Sequence, residues 1–190
     1  MTIAFSSSSP IASVALIDGE GRVICERSEE ARHNASGVLL DILDALLDQA
    51  GRKLEDADVF AADLGPGSFT GVRVGVTVCK TMAYARSARV VGADAFDLVD
   101  PQRTVAIPSR KGEYFLRVPG SPPIVTREPP QDAVGYGQAF EPPRYPLARA
   151  FAPLLSTCET TVPEEMVPFY IAEPSISTPK DPRVRGGPVA

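Results

Sequence analysis

The chain has 190 residues, 44% of them apolar and 23% charged, with a formal net charge of −5. This allows one ordinary domain or two small lobes around a real core. The acidic balance argues against the chain holding a nucleic acid unaided, because phosphate binding needs a basic surface. Cys25, Cys79 and Cys158 are far apart and odd in number, so neither a disulfide framework nor a CxxC metal pair is visible. The opening "MTIAFSSSSPIASVALIDGEG" lacks a basic start, and its serines and Pro10 interrupt any apolar stretch, which argues against a signal peptide. No run of 18 apolar residues is present. A reduced, cytoplasmic protein without a membrane span is expected.

In chain order, Ile3 to Phe5 reads as a short strand and "SSSSP" as a turn. "ASVALI" and "RVICERS" flank "DGEG", a hairpin signal. "NASGVLLDILDALLDQAG" then reads as a helix, with Asn34 or Ser36 able to cap it and Gly51 able to end it. Leu39, Ile42, Leu43, Leu46 and Ala50 recur at helical spacing; Leu40 and Leu47 widen the apolar arc. "ADVFAADLG" is a strand, "TGVRVGVTVCKTMAYARS" a second helix, "ARVVGAD" a buried strand and "AFDLV" a short helix. Three antiparallel strands followed by alternating helices and strands define an α/β ribonuclease-H-like arrangement, the lobe of actin-like phosphotransferases.

Composition changes near residue 100: seventeen of the nineteen prolines lie at or after Pro101. Proline removes ladder donors and breaks helices, so residues 101–178 read as a shortened second lobe of short strands. Residues 179–190 have little to bury and read as a disordered tail.

"LGPGSFTGVRVGV", residues 64–76, crowds glycines ahead of the second helix. One reading makes Gly65, Gly67, Ser68 and Thr70 an anion or nucleotide loop, using the partial positive charge and free N–H groups of a helix start. It is neither a Walker A loop nor GxGxxG. The other reading uses the glycines for packing. Gly71, Gly75, Cys79 and Ala83 lie four apart, with Val72 and Val76 beside them, so a second backbone could approach closely. Val74, Val78 and Met82 would then cover the chain's own sheet. On this reading Gly71, Val72, Gly75, Val76, Cys79 and Ala83, with Leu40 and Leu47 of the first helix, form a subunit interface.

"GPGSFTGVRVG" followed by "CKTMAYA" closely resembles the TsaB family, whose members serve the machinery that makes threonylcarbamoyladenosine in tRNA. The opening strands and first helix are also similar, so the resemblance covers roughly residues 1–100; beyond that, "SRKGEYFLRV" looks familiar. The resemblance implies an actin-like fold of two related lobes and a non-catalytic scaffold. It implies pairing with a TsaD-like catalytic subunit through the first-lobe helices, homodimers through the same surface, docking of a TsaE-like ATPase, and only indirect contact with tRNA. No metal or cofactor is expected in the isolated chain, though ATP could sit at the interface of the complex. Proteins of this fold place an Asp at the end of the first strand; here Ser6 stands there, and a neutral hydroxyl cannot hold Mg²⁺ as a carboxylate does. Two alternatives stay open: a small ATP-dependent phosphotransferase or ATPase using the glycine loop, and a diverged paralogue that pairs with itself.

His33 is the only histidine, in a polar stretch that reads as solvated or capping; a single His excludes HExxH. Asp41, Asp44 and Asp48 read as a solvated helix face, Cys79 as a packing residue, and Arg73 and Lys80 as interface ion pairs or snorkelling stems.

Overall fold

The computed structural model describes residues 1–31, 34–110 and 112–171. His33 and residues 179–190 lie outside the described residues, so the readings placed on them are not addressed. Strands β1 (Thr2–Ser6), β2 (Ile11–Ile17) and β3 (Val23–Glu30) form the expected antiparallel meander. Asp18 and Gly21 close the β2–β3 turn, Gly21 at a φ of 78° that favours glycine. Helix α1 (Ala35–Ala50), β4 (Val59–Asp63), α2 (Phe69–Arg86), β5 (Arg89–Ala93) and α3 (Ala95–Val99) follow. Asn34 caps α1 by accepting from the Gly37 N–H, and Gly51 ends it in the left-handed conformation. The sheet runs β3-β2-β1-β4-β5, with β4 parallel to β1 and β5 parallel to β4.

Strand alternation sorts this sheet into two apolar faces. Ile3, Phe5, Val14, Leu16, Phe60 and Ala62 meet α1 and α2. From α1 they receive Leu39, Ile42, Leu43, Leu46 and Leu47, each such burial worth about 2 kcal/mol before entropy is counted. On the other face Ala4, Ala15 and Ala61 are small, which lets Ala148 and Phe151 lie close.

The second sheet contains β6 (Val105–Pro108), β7 (Tyr114–Arg117), β8 (Ile124–Thr126) and β9 (Val134–Gly135), in the order β8-β7-β6-β9. Two antiparallel pairings followed by a parallel one repeat the β3-β2-β1-β4 order of the first sheet. The helix corresponding to α1 is missing. Residues 127–133 make the crossing alone, which very short strands permit: seven extended residues reach roughly 23 Å, against about 14 Å across three strand spacings.

After Pro146 the chain leaves the second sheet, which amends the expectation of a separate lobe running on to residue 178. Helix α4 (Phe151–Leu154) and the turn before it cover the small-residue face of the first sheet. Thr161 then exchanges both backbone hydrogen bonds with Val90 of β5, Met166 enters the first core, and the Phe169 N–H donates to the Leu64 carbonyl. Among the described residues, no helix is long and apolar enough to cross a membrane.

Candidate functional site

A cleft of about 1120 Å³ opens where the two sheets meet. The Ser7–Pro10 turn, the starts of α1 and α2, and the aromatic rings of Phe115, Tyr136 and Tyr145 line it. Arg110 brings a cation to its wall.

The glycine loop forms one side, and its polar groups face inward. The Gly65 N–H donates to Asp63 Oδ1 at 2.8 Å, and the Ser68 N–H donates to the Ser8 carbonyl at 2.7 Å. The Ser68 hydroxyl accepts from the Gly71 N–H, capping α2. Gly65 has a φ of 86°, and a Cβ on Gly67 would stand 2.2 Å from the Ser8 carbonyl oxygen. Of the four residues expected to cradle an anion, Gly65 turns its N–H to Asp63 of β4, Ser68 turns its N–H to Ser8, Gly67 packs against Ser8, and Thr70 is exposed. The Gly65 and Ser68 amides are thus committed within the chain.

The small-residue stripe is corrected. Gly71, Val72, Gly75, Val76, Cys79 and Ala83 are all buried against the chain's own sheet and the turn after β1. A Cβ on Gly71 would meet the Ser7 carbonyl oxygen at 1.9 Å, and one on Gly75 would meet Ser7 Oγ at 2.8 Å. The second backbone these glycines admit is this chain's own. Val74, Val78 and Met82, expected to cover the sheet, are instead half-buried at the margin of the core. Leu47 is also in the core, whereas Leu40 is 42% exposed. Burial raises the Cys79 thiol far above its usual range, as befits a packing residue.

The outer side of α2 carries Phe69, Arg73, Lys80 and Tyr84. The Arg73 guanidinium lies 4.3 Å from the Phe69 ring centre and donates to the Tyr170 hydroxyl; Lys80 donates to the Met166 carbonyl. Both cations are held by the chain's own returning segment. Asp41, Asp44 and Asp48 are exposed along α1.

Sequence reading overlooked Asp63. It ends β4, is 1% exposed, and accepts from Ser6 Oγ at 2.7 Å and Ser8 Oγ at 2.5 Å as well as from Gly65. Burial pushes its carboxyl up to about 6, the hydroxyls and the amide acting in the opposite sense. Asp94, capping α3, is also raised, chiefly by burial. Burial likewise raises the Tyr136 phenol, whose hydroxyl lies 3.5 Å from the Ser8 carbonyl. The available signal was a carboxylate ending the apolar strand "VFAAD" directly before the glycines. Among the described residues, no three His, Cys, Asp or Glu side chains gather in a group that could hold a metal ion.

The family model for tRNA N6-adenosine threonylcarbamoyltransferase, TsaD, matches residues 27–98. The chain is 33% identical over 127 residues to the tRNA threonylcarbamoyladenosine biosynthesis protein TsaB of Haemophilus influenzae, spanning 61% of this chain and 52% of that protein. It is 30% identical over 131 residues to the tRNA N6-adenosine threonylcarbamoyltransferase of Sphingopyxis alaskensis, spanning 61% and 38% respectively. It thus spans about half or less of the length of these curated relatives. The solved structure of YeaZ from Pseudomonas aeruginosa superposes with a TM-score of 0.74 at 25% identity, covering 90% of this chain and 99% of that one. With two sheets of matching strand order meeting at a cleft, the chain has the actin-like fold. Within that fold, the matched relatives carry two names, TsaB and the threonylcarbamoyltransferase TsaD. Over about three fifths of its length the chain is similar to proteins that bear the TsaB name.

Proposed function

We propose that this chain is a non-catalytic subunit in the formation of threonylcarbamoyladenosine in tRNA, acting through a TsaD-like catalytic partner. The relatives bearing the TsaB name support the pathway. The observation that carries the non-catalytic reading is the inward-facing loop: the Gly65 N–H and the Ser6 and Ser8 hydroxyls donate to Asp63, and the Ser68 N–H donates to the Ser8 carbonyl. The partner surface is the outer side of α1 and α2, where Leu40, Phe69 and Tyr84 are exposed beside the α1 aspartates and Arg73. Aromatic rings with an arginine are the usual anchors of such contacts. On this reading a TsaE-like ATPase docks on the assembled pair, tRNA is held by the partners, and any ATP binds at the interface.

Affinity capture of the tagged chain from its native cells, with mass spectrometry of what is retained, tests this. A TsaD-like protein retained by the native chain and lost in Tyr84→Ala/Leu40→Asp is the expected result. Recovery of this chain alone favours the self-pairing reading. Micromolar binding of ATP with Mg²⁺ to the isolated chain by calorimetry favours the phosphotransferase or ATPase.

A further inference from the structure

Ser6 Oγ stands 2.7 Å from Asp63 Oδ2 and 2.8 Å from the Pro146 carbonyl oxygen, both inside the protein. A hydroxyl carries one hydrogen and can serve one of these acceptors at a time. With Asp63 ionised, that hydrogen is drawn to the carboxylate, the stronger acceptor, and the buried Pro146 carbonyl loses its donor. With Asp63 protonated, the carboxyl O–H donates to Ser6 and Ser6 donates to Pro146. Ser8 and Gly65 keep their bonds to the carboxyl group in both cases. One added proton therefore completes a chain that one removed proton breaks.

Pro146 belongs to the segment that connects the second sheet back to the first. That segment is also tied by the Arg144 N–H to the Gly135 carbonyl and by the Ala148 N–H to Ser13 Oγ. We propose that Asp63, Ser6 and the Pro146 carbonyl form a proton-operated latch between the two halves at the cleft floor: closed when Asp63 holds a proton, open when it does not. The groups facing Asp63 fit a carboxyl that changes state near neutrality. Asp94 acts on it from the start of α3, and like charge favours its neutral form. Tyr136 faces it from the second half, while β1 and the glycine loop offer hydroxyls and an amide. This latch does not depend on the proposed partner.

Hydrogen exchange of the full chain, corrected for intrinsic rates, would be followed at the Arg144 and Ala148 amides from about pH 5 to about pH 8. The expected result is a fall in protection of about tenfold across that range, the worth of one hydrogen bond. Asp63→Asn, whose amide can donate to Ser6 permanently, should keep the protected level throughout. Ser6→Ala should show the less protected level throughout. Equal protection at both ends of the range in the native chain overturns the proposal, as does a step that persists in Ser6→Ala. If Asp63→Asn does not fold, the native chain and Ser6→Ala decide the matter. A ¹³C-carboxyl titration is expected to place Asp63 near 6; an ordinary carboxylate midpoint also overturns the latch.

Discussion

The two sheets share a strand order and differ in what covers them. The first carries α1 and α2 on one face and α4 with its preceding turn on the other, and its central strand β1 is buried at every residue. The second has kept the meander and the parallel fourth strand while seven residues replace the crossover helix. Its edge shows the consequence: Val118, Ile124 and Val125 are each more than 40% exposed. Strand order survives when the strands are short enough for a bare loop to cross them. Burial does not survive, because a loop cannot supply the apolar stripe of a helix.

The sharpest break in this comparison is Gly71→Ala. The added methyl has no room beside the Ser7 carbonyl, which is backbone and cannot swing away. A loss of about 3 kcal/mol or more in urea unfolding is expected, with reduced soluble yield. Gly75→Arg should likewise fail to fold, because a Cβ there already meets Ser7 Oγ at 2.8 Å. Leu39→Ala, in the fully buried helix-covered core, should cost about 3 to 4 kcal/mol. Leu116→Ala in the small cluster under the second sheet should sit near 2 kcal/mol, and Ile124→Ser at its exposed edge within about 0.5 kcal/mol. Equal losses for the two leucines would show that the second sheet is as well covered as the first.

A smaller effect concerns the floor between them. Asp63 is raised in the folded chain, so the native state holds its proton where the unfolded chain has released it. Its share of stability is therefore present below the ordinary carboxylate value near 4, declines as pH rises, and levels off above about 6. The total decline is on the order of 3 kcal/mol. Subtracting the stability curve of Asp63→Asn from that of the native chain should isolate a downward slope from pH 4 to 6; an upward slope would contradict it. The smallest effect is expected at the exposed Arg149–Glu26 ion pair, 2.8 Å long, which joins the turn before α4 to β3. Glu26→Gln should change stability by less than about 1 kcal/mol, and by less still in high salt.

The first half was legible because its signals are local and periodic. The leucines of α1, the "DGEG" turn and the capping Asn34 each name an element without help from elsewhere. The direction of the α2 stripe was not legible. Small residues four apart say that a backbone comes close, but not whose; only the Ser7 carbonyl in space answers that. Asp63 escaped notice because its meaning comes from three partners, two of them more than fifty residues away in sequence. The repeated strand order of the second sheet was hidden by strands of two to four residues, too short to show alternation.

The pairing of Thr161 with Val90 gives the returning segment a further duty. Without it, β5 would offer bare amides and carbonyls to any extended peptide that drifted past. At the opposite border, β3 protects itself with Glu26, Arg27, Glu29 and Glu30, but β5 has only Arg89 for that purpose. A version stopping before Thr161 would retain every strand of both sheets, yet its characteristic fate should be growth into insoluble ribbons by edge-to-edge addition.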